Sequence, residues 1–474
     1  MNAPAFHPQS RKENLARLIG EPLDVLIIGG GINGAGIARD LALRACGTLR
    51  IGLIEKRYFG SGTSSRNSQL IHGGLRYLEH FDFALVKEAL HERARLVKLA
   101  PGLVEPLRFV MPFETWFQRR YYGIGLWLYD LLAGSHNIAP RLNLSLAELK
   151  RIEPDLNLVG LHSAAIFSDC RVNSARLLLE NLFDAARHGV IAVNYAEAAG
   201  WQRRGEILEV NIEDRLGGGE SVVRAHQIVD ARGPWEGGAN LRLVRGSHII
   251  VPALTDSGNA IAHFHRDGRI IFVLPWGPQN SLSLIGTTDV DHSGSPDEVS
   301  ITPQEIRYLQ AIARELFRDA GDLKPIAVYS SLRPLVAADG SPSAASRGHK
   351  IWKQDGVVKI TGGKYTTYRS MSQEAVDLLA PDLRGRCTTH ESAFTPARKP
   401  DTAEAIIQQA VDYEMAQRLA DLMFVCTYWG YERSWDAEAL RPLAHEMGRP
   451  LAWSDAQREQ EIALVLRIAA IPAY

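Results

Sequence analysis

The chain has 474 residues, too many for one ordinary hydrophobic core, and with 46% of them apolar it can build two or three. Basic and acidic side chains nearly cancel, at a net charge of -1, which removes any global electrostatic case for nucleic acid and leaves an anion site to local clusters. The four cysteines are scattered, with no C-x-x-C pair and no disulfide-like spacing, so a reducing compartment is the simplest setting.

Met1 to Ser10 carry no apolar h-region, so no export signal is read there. Arg11 to Gly20 form a short amphipathic helix with Leu15, Leu18 and Ile19 on one side. Nowhere do apolar residues run for the roughly 18 positions that a spanning helix needs, which leaves surface attachment open. From Asp24 the pattern becomes strand (Asp24 to Ile28), glycine turn, helix (Ala35 to Arg44) and strand (Arg50 to Glu55), a βαβ unit.

Gly29, Gly31 and Gly34 form G-x-G-x-x-G directly after the first strand, and Glu55 ends the second strand 21 residues beyond the last glycine. Glycines at these positions allow a tight turn and close backbone approach, so a pyrophosphate can sit on the helix N-terminus, where free N–H groups favour negative charge. Asn33 lies within the same turn, and Glu55 is placed to accept bonds from ribose hydroxyls. NAD and FAD share this geometry. The N-terminal position of the loop, a second glycine pair at Gly362-Gly363 after a late strand, and the lack of another complete fingerprint favour FAD.

Arg76 to Leu99 read as helical, Pro101 to Pro112 as a loop, and Trp116 to Leu132 as an aromatic-rich helix. A helix from Asn173 to His188 leads to a strand (Val190 to Tyr195), a hairpin through Gly217-Gly218-Gly219 and a strand (Ala225 to Ala231), so the nucleotide domain is discontinuous. Between Gly246 and Asp291, short apolar runs broken by Asp267-Gly268 and Gly277-Pro278 indicate a separate antiparallel sheet, the expected substrate domain. Thr302, Pro303 and Glu305 form a capping box that opens a helix to about Phe317. Strands at Ile326 to Ser331 and Val357 to Thr361 are expected to return to the nucleotide domain. After Pro396 and Pro400 the period is helical to the end, with Ala403 to Leu422 the longest segment.

At Thr63 to His80, which reads Thr-Ser-Ser-Arg-Asn-Ser-Gln-Leu-Ile-His-Gly-Gly-Leu-Arg-Tyr-Leu-Glu-His, the chain resembles the flavin-dependent glycerol-3-phosphate dehydrogenases. The likeness continues through Asp169-Cys170, Gly233-Pro234-Trp235, Gly246-Ser247-His248-Ile249, Ile285-Gly286-Thr287-Thr288-Asp289, Arg333-Pro334-Leu335, Gly362-Gly363-Lys364 and Thr366-Thr367-Tyr368-Arg369. It implies an α/β fold with three parts. A discontinuous glutathione-reductase-like FAD-binding Rossmann domain would comprise residues 20–80, 171–245 and 330–385. A mixed-sheet substrate domain would comprise 81–170 and 246–329, and a C-terminal helical domain 396–474. The implied reaction oxidises glycerol 3-phosphate and passes electrons from FAD to a quinone or, in oxidase relatives, to oxygen. The chain departs from the family pattern at Gln69, where lysine is expected, at Asp230-Ala231-Arg232-Gly233, and at Phe424 to Tyr431, where an aromatic run replaces a basic one.

Such chemistry needs a cationic cradle for a dianion, a base near the secondary hydroxyl and stabilisation of the reduced cofactor. Arg76, Arg333 and Lys364 are the expected cradle, with Tyr77 and Arg347 beside them. Arg333 is also expected to act on the substrate oxygen, so it joins His248 as a catalytic residue. His248 is the leading base and His72 its rival, although His72 beside Gly73-Gly74 suits packing against the cofactor. Thr63, Ser64, Ser65, Leu70, Gly73, Gly233, Gly362, Gly363 and Thr366 complete the expected FAD contacts, the late glycine pair aiming N–H groups at the edge that gains charge on reduction. His263 and His265 share a strand face without further ligands, which reads as solvent-facing histidines rather than a metal site.

Trp116, Arg119, Arg120, Tyr121, Tyr122, Trp127 and Tyr129 mix aromatic and basic groups as a membrane-interface helix does; a helix buried between domains is the alternative. With the resemblance this gives a protein peripheral on the cytoplasmic face of the inner membrane, with a homodimer as one assembly open to it. Competing readings are the same chemistry on another polyol phosphate, an amine or amino-acid oxidase on the same fold, and a catalytically silent FAD-binding paralogue.

Overall fold

Leu23–Ile28 is apolar at nearly every position, as a strand covered on both faces must be. It lies at the centre of the first sheet, in parallel register with Ile51–Ile54 on one side and Glu220–Asp230 on the other. Val25 and Ile27 face the helix Ile32–Ala45, which packs against Ser174–Arg187 and Tyr368–Leu379. Leu26 and Ile28 face the opposite way, onto Leu18 of the helix Pro8–Gly20 and the apolar side of the hairpin that follows residue 195. The order across this sheet is His349–Gln354, Val357–Gly362, Glu220–Asp230, Leu23–Ile28, Ile51–Ile54 and Ile191–Val193, extended by the antiparallel strands Ala196–Arg204 and Ile207–Asp214. The computed structural model describes residues 6–237, 241–336, 348–383, 385–395 and 400–474, with the main chain alone for Pro8, Arg76, His80 and Val336.

The second sheet has ten strands and is mixed. Leu241–Pro252 pairs with Ala327–Val336 on one side and with Leu282–Gly286 on the other. Ile270–Trp276, Ala260–Phe264, Val104–Phe113, Ser163–Val172 and the short Leu70–Ile71 follow in that order. Helix Pro303–Leu316 covers one face, opened by the Thr302/Glu305 capping box, and Ile306, Leu309 and Ile312 are buried against Ile249, Val251 and Ile285. The other face looks towards the first sheet. Beyond residue 400 the chain is helical, in Ala403–Glu414, Ala437–Gly448, Asp455–Ala469 and short turns between them.

Several expectations give way. The loop expected over Pro101 to Pro112 contains the strand Val104–Phe113, paired along its whole length with Ser163–Val172; Pro106 and the charged Glu105 and Arg108 mask its alternation. The helix expected from Arg76 splits at Phe81, whose φ of 56° ends a 3-10 turn (Leu75–His80) before Asp82 caps the helix Phe83–Leu99. Ile326 to Ser331 was expected to rejoin the nucleotide domain, but Ala327–Val336 lies in the second sheet, because its partner in register is Leu241–Pro252. The expected boundaries at 245/246 and 329/330 therefore cut through two strands that lie whole in that sheet. Ala403 to Leu422 is interrupted at Met415, in left-handed conformation at φ 59°. His263 is buried rather than solvent-facing.

Candidate functional site

The G-x-G-x-x-G turn uses its three glycines in two ways. A Cβ on Gly29, whose φ is 113°, would meet the Ala231 carbonyl oxygen at 2.5 Å, and one on Gly34 would overlap the Gly29 carbonyl. Both glycines answer the protein's own packing. A Cβ on Gly31 would meet nothing closer than Ser64 Oγ at 3.3 Å. It would project into the cleft that opens at the N-terminus of Ile32–Ala45, so the requirement for glycine there comes from a ligand. Glu55 closes the turn from the neighbouring strand, accepting from Gly30 N at 2.7 Å and from Arg57 N at 3.0 Å. Burial raises its pKa, against the pull of those two backbone bonds.

The cleft encloses about 450 Å³ between the two sheets. Of the expected residues, Gly29, Gly31, Asn33, Glu55, Thr63, Ser64, Leu70, His72, Tyr77, Gly233, His248, Arg333, Gly362, Gly363, Lys364 and Thr366 line it. Gly34, Ser65 and Gly73 stand behind its wall. Ser65 is buried and offers its carbonyl to Gln69 Nε2 at 2.9 Å and Tyr428 Oη at 3.1 Å. Gly73 N donates to Tyr129 Oη at 2.8 Å, and Tyr129 in turn bonds Asp169, the buried partner of Arg93. Arg76 has its main chain in the turn Leu75–His80 and its side chain outside the description, and Arg347 lies outside the described residues.

His248 and Arg333 reach the cleft because the sheet makes room for them. A Cβ on Gly286, the residue opposite His248 in register, would overlap the imidazole, and one on Gly246 would overlap the Arg333 guanidinium. The His248 ring stacks on Tyr329 at 4.8 Å and its Nε2 is 2.9 Å from Ser68 Oγ, while Nδ1 is buried without a partner. Burial pushes its pKa down to about 3, and the Arg333 charge adds to the shift, so the ring is neutral at physiological pH. Arg333 is ion-paired with Asp289, donates to Thr287 Oγ1 at 2.7 Å and reaches the Thr288 carbonyl. Its charge is thus shared with a carboxylate, a partner that the expectation of Arg333 as phosphate cradle and catalytic cation did not include. The Lys364 ammonium lies 3.7 Å from the Tyr77 ring centroid. Thr366 Oγ1 takes the His72 N–H at 3.1 Å and donates to the His72 carbonyl at 3.2 Å, tying the late glycine pair to the early loop.

Other groups on the cleft escaped the sequence reading. Asp297 Oδ1 accepts from Lys56 Nζ at 2.7 Å, Arg57 Nη2 at 2.8 Å and Trp235 Nε1 at 2.7 Å, joining three segments at the rim. Trp235 belonged to a motif already quoted; Asp297 lies in a polar loop with no local signal. Arg232 forks onto Asp230 with two bonds of 2.8 Å and lies over Trp201, so this departure from the family pattern is a self-neutralising pair.

The profile of the FAD dependent oxidoreductases matches residues 24–369. The chain is 36% identical to the aerobic glycerol-3-phosphate dehydrogenase of Escherichia coli K12 over 388 residues, 77% of this chain and 75% of that one. It is 34% identical to the glycerol-3-phosphate dehydrogenase of Mycobacterium leprae over 412 residues, 84% of this chain and 67% of that one. Among solved structures, the FAD complex of the Bacillus halodurans glycerol-3-phosphate dehydrogenase superposes with a TM-score of 0.78 at 22% identity, covering 99% of both chains, which supports the fold. A glycine turn open to a ligand at Gly31 and a cleft that runs from Glu55 to Lys364 fit FAD, and the chain belongs to the FAD-dependent oxidoreductases, in the family of the glycerol-3-phosphate dehydrogenases.

Proposed function

We propose that the protein oxidises sn-glycerol 3-phosphate to dihydroxyacetone phosphate and that a quinone takes the electrons. The observation that carries this reading is the meeting of Lys364, Arg333 and a neutral His248 in one cleft with the dinucleotide turn. When bound, FAD supplies the acceptor for the hydrogen and electron pair that leave C2. Gly29, Gly31 and the N-terminus of Ile32–Ala45 would hold its pyrophosphate and Glu55 its ribose.

Lys364 is placed to bind the phosphate as a point charge, with its ammonium over the Tyr77 ring. Arg333, oriented by Asp289 and Thr287, would stabilise the negative charge that develops on the substrate oxygen. His248 would accept the hydroxyl proton. A ring whose pKa is pushed to about 3 is a weak base at equilibrium, so its proton transfer must accompany departure of the C2 hydrogen instead of preceding it. Ser68 and Tyr329 hold the ring for that role. Anaerobic addition of glycerol 3-phosphate should bleach the flavin stoichiometrically; a flavin that stays oxidised would exclude the activity.

The aromatic helix supports attachment to a membrane surface. In Trp116–Ala133, Leu126, Tyr129 and Ala133 are buried, whereas Trp116, Phe117, Ile124, Trp127 and Leu131 are each more than half exposed beside the exposed Arg119 and Arg120. Apolar rings flanked by cations match an anionic lipid interface. Among the described residues no helix is long and apolar enough to cross a membrane. On this reading the protein is peripheral on the cytoplasmic face of the inner membrane. Sedimentation with anionic liposomes that weakens when Trp127 and Arg120 are changed together tests it.

A further inference from the structure

A second cavity of about 260 Å³ opens where the second sheet meets the C-terminal helices. Ser68 and Leu70 line both this cavity and the cofactor cleft, so that short segment forms a shared wall. Leu107, Leu274, Leu284 and Tyr428 supply buried apolar sides, and the Trp276 ring lies 5.7 Å from that of Tyr428. At the rim, Arg171 and Glu105 form an exposed ion pair at 2.7 Å.

Two polar groups are placed among these apolar walls. The Trp276 indole N–H is shut off from solvent and has no hydrogen-bond partner, an arrangement that costs about 1 to 3 kcal/mol unless a ligand supplies an acceptor. Glu432 also lines the cavity, and burial alone raises the pKa of its carboxyl.

We propose that this cavity binds the electron acceptor as a para-quinone ring, with a ring carbonyl accepting from Trp276 and Glu432 serving as proton donor to the quinone oxygen. The inference rests on the quinone reading above and gives it a place. A quinone becomes a hydroquinone by gaining two electrons and two protons. Both electrons cross the wall from the cofactor reduced by the polyol phosphate, whose proton leaves to solvent through the first cleft, and Glu432 delivers the two protons in turn, regaining each from solvent at the rim. Because the wall is shared and the cavities are separate, the acceptor can bind while dihydroxyacetone phosphate still occupies the first cleft.

The holoenzyme tests this in two half-reactions followed by stopped flow. In Trp276→Phe and Glu432→Gln, anaerobic flavin reduction by glycerol 3-phosphate and reoxidation by ferricyanide should match the wild type, which also reports that the variants fold. Reoxidation of the reduced enzyme by duroquinone should fall about tenfold in each, as the loss of one buried hydrogen bond predicts, with the Trp276 variant changed in quinone saturation. If both variants reoxidise with duroquinone as fast as wild type, the cavity is not the acceptor site even though the quinone reading stands. If wild-type enzyme that reacts with ferricyanide does not react with duroquinone, the quinone reading falls and the site falls with it.

Discussion

Gln69 and Tyr428, 359 residues apart, both adopt left-handed backbone, at φ 54° and 66°, and both donate to the carbonyl of Ser65. The Gln69 amide oxygen also accepts from Ser174 N at 2.9 Å, and Tyr428 Oη accepts from Ala175 N at 3.1 Å, so the pair caps the helix Ser174–Arg187 jointly. Two departures from the family pattern are thus one structural unit. It ties the C-terminal helices to the loop that carries Ser64 and Ser68. Tyr428→Phe removes only the hydroxyl, leaving Ala175 N without its acceptor and the Ser65 carbonyl with Gln69 alone, which should destabilise the protein by about 1 to 3 kcal/mol. We expect lower urea midpoints with faster FAD loss. An unchanged midpoint would show that the hydroxyl contributes nothing.

Gly31→Ala and Gly34→Ala should separate ligand approach from internal packing. The first adds a methyl that meets only Ser64 Oγ at 3.3 Å, so the apoprotein should melt near the wild type while FAD affinity, measured by flavin fluorescence, falls by tenfold or more. The second drives a methyl into the Gly29 carbonyl and should lower the stability of the apoprotein itself. Equal effects from the two would contradict this division.

His248 should leave a signature in stability against pH. Its folded pKa is pushed down to about 3, whereas an unfolded histidine titrates near 6.5. Between those values the unfolded chain binds the extra proton, so this contribution is complete above about 6.5 and is lost as pH falls toward 3, at up to about 1.4 kcal/mol per unit. Urea unfolding of the wild type should therefore show a steeper acid loss than His248→Asn. Parallel curves would mean that the ring is protonated in the folded state.

Arg333→Met should reduce both substrate affinity and the anaerobic rate of flavin reduction, the latter by roughly a hundredfold, with FAD content retained. The cause is loss of a cation that Asp289 and Thr287 aim at the cleft. Asp289→Asn keeps the cation but removes its orienting carboxylate, so it should lower the rate with a smaller effect on affinity. If Arg333→Met changes affinity alone, the residue is a phosphate anchor.

Asp297→Ala should speed FAD dissociation, because one carboxylate oxygen holds Lys56, Arg57 and Trp235 together at the rim of the cleft. Asp297 is nearly half exposed, so salt should screen the wild-type contact and shrink the difference between the two proteins. A dissociation rate that ignores both the substitution and salt would remove Asp297 from cofactor retention.

The parts of this site that are local in sequence were legible in it. Gly29, Gly31, Gly34 and Glu55 announce themselves by spacing, and the motifs around His248, Arg333 and Lys364 point to the residues that line the cleft. What stayed hidden depends on register between distant strands. Nothing near Arg333 says that Asp289 will neutralise it, and nothing near His248 says that Tyr329 and Ser68 will enclose it. Val104–Phe113 failed for a different reason, since its polar and proline positions hide a strand that only its long partner Ser163–Val172 defines.

The interleaving of the two sheets along the chain sets the order of biosynthesis. The strand Val357–Gly362 completes the nucleotide sheet against Glu220–Asp230, and Thr366 must then reach back to His72. A nascent chain leaves the ribosome N-terminus first, so the glycine turn emerges hundreds of residues before the wall that faces it. The complete cleft therefore exists only after the chain has emerged as far as Thr366. The last wall of the cofactor cleft is thus supplied by the part of the nucleotide sheet that is synthesised last.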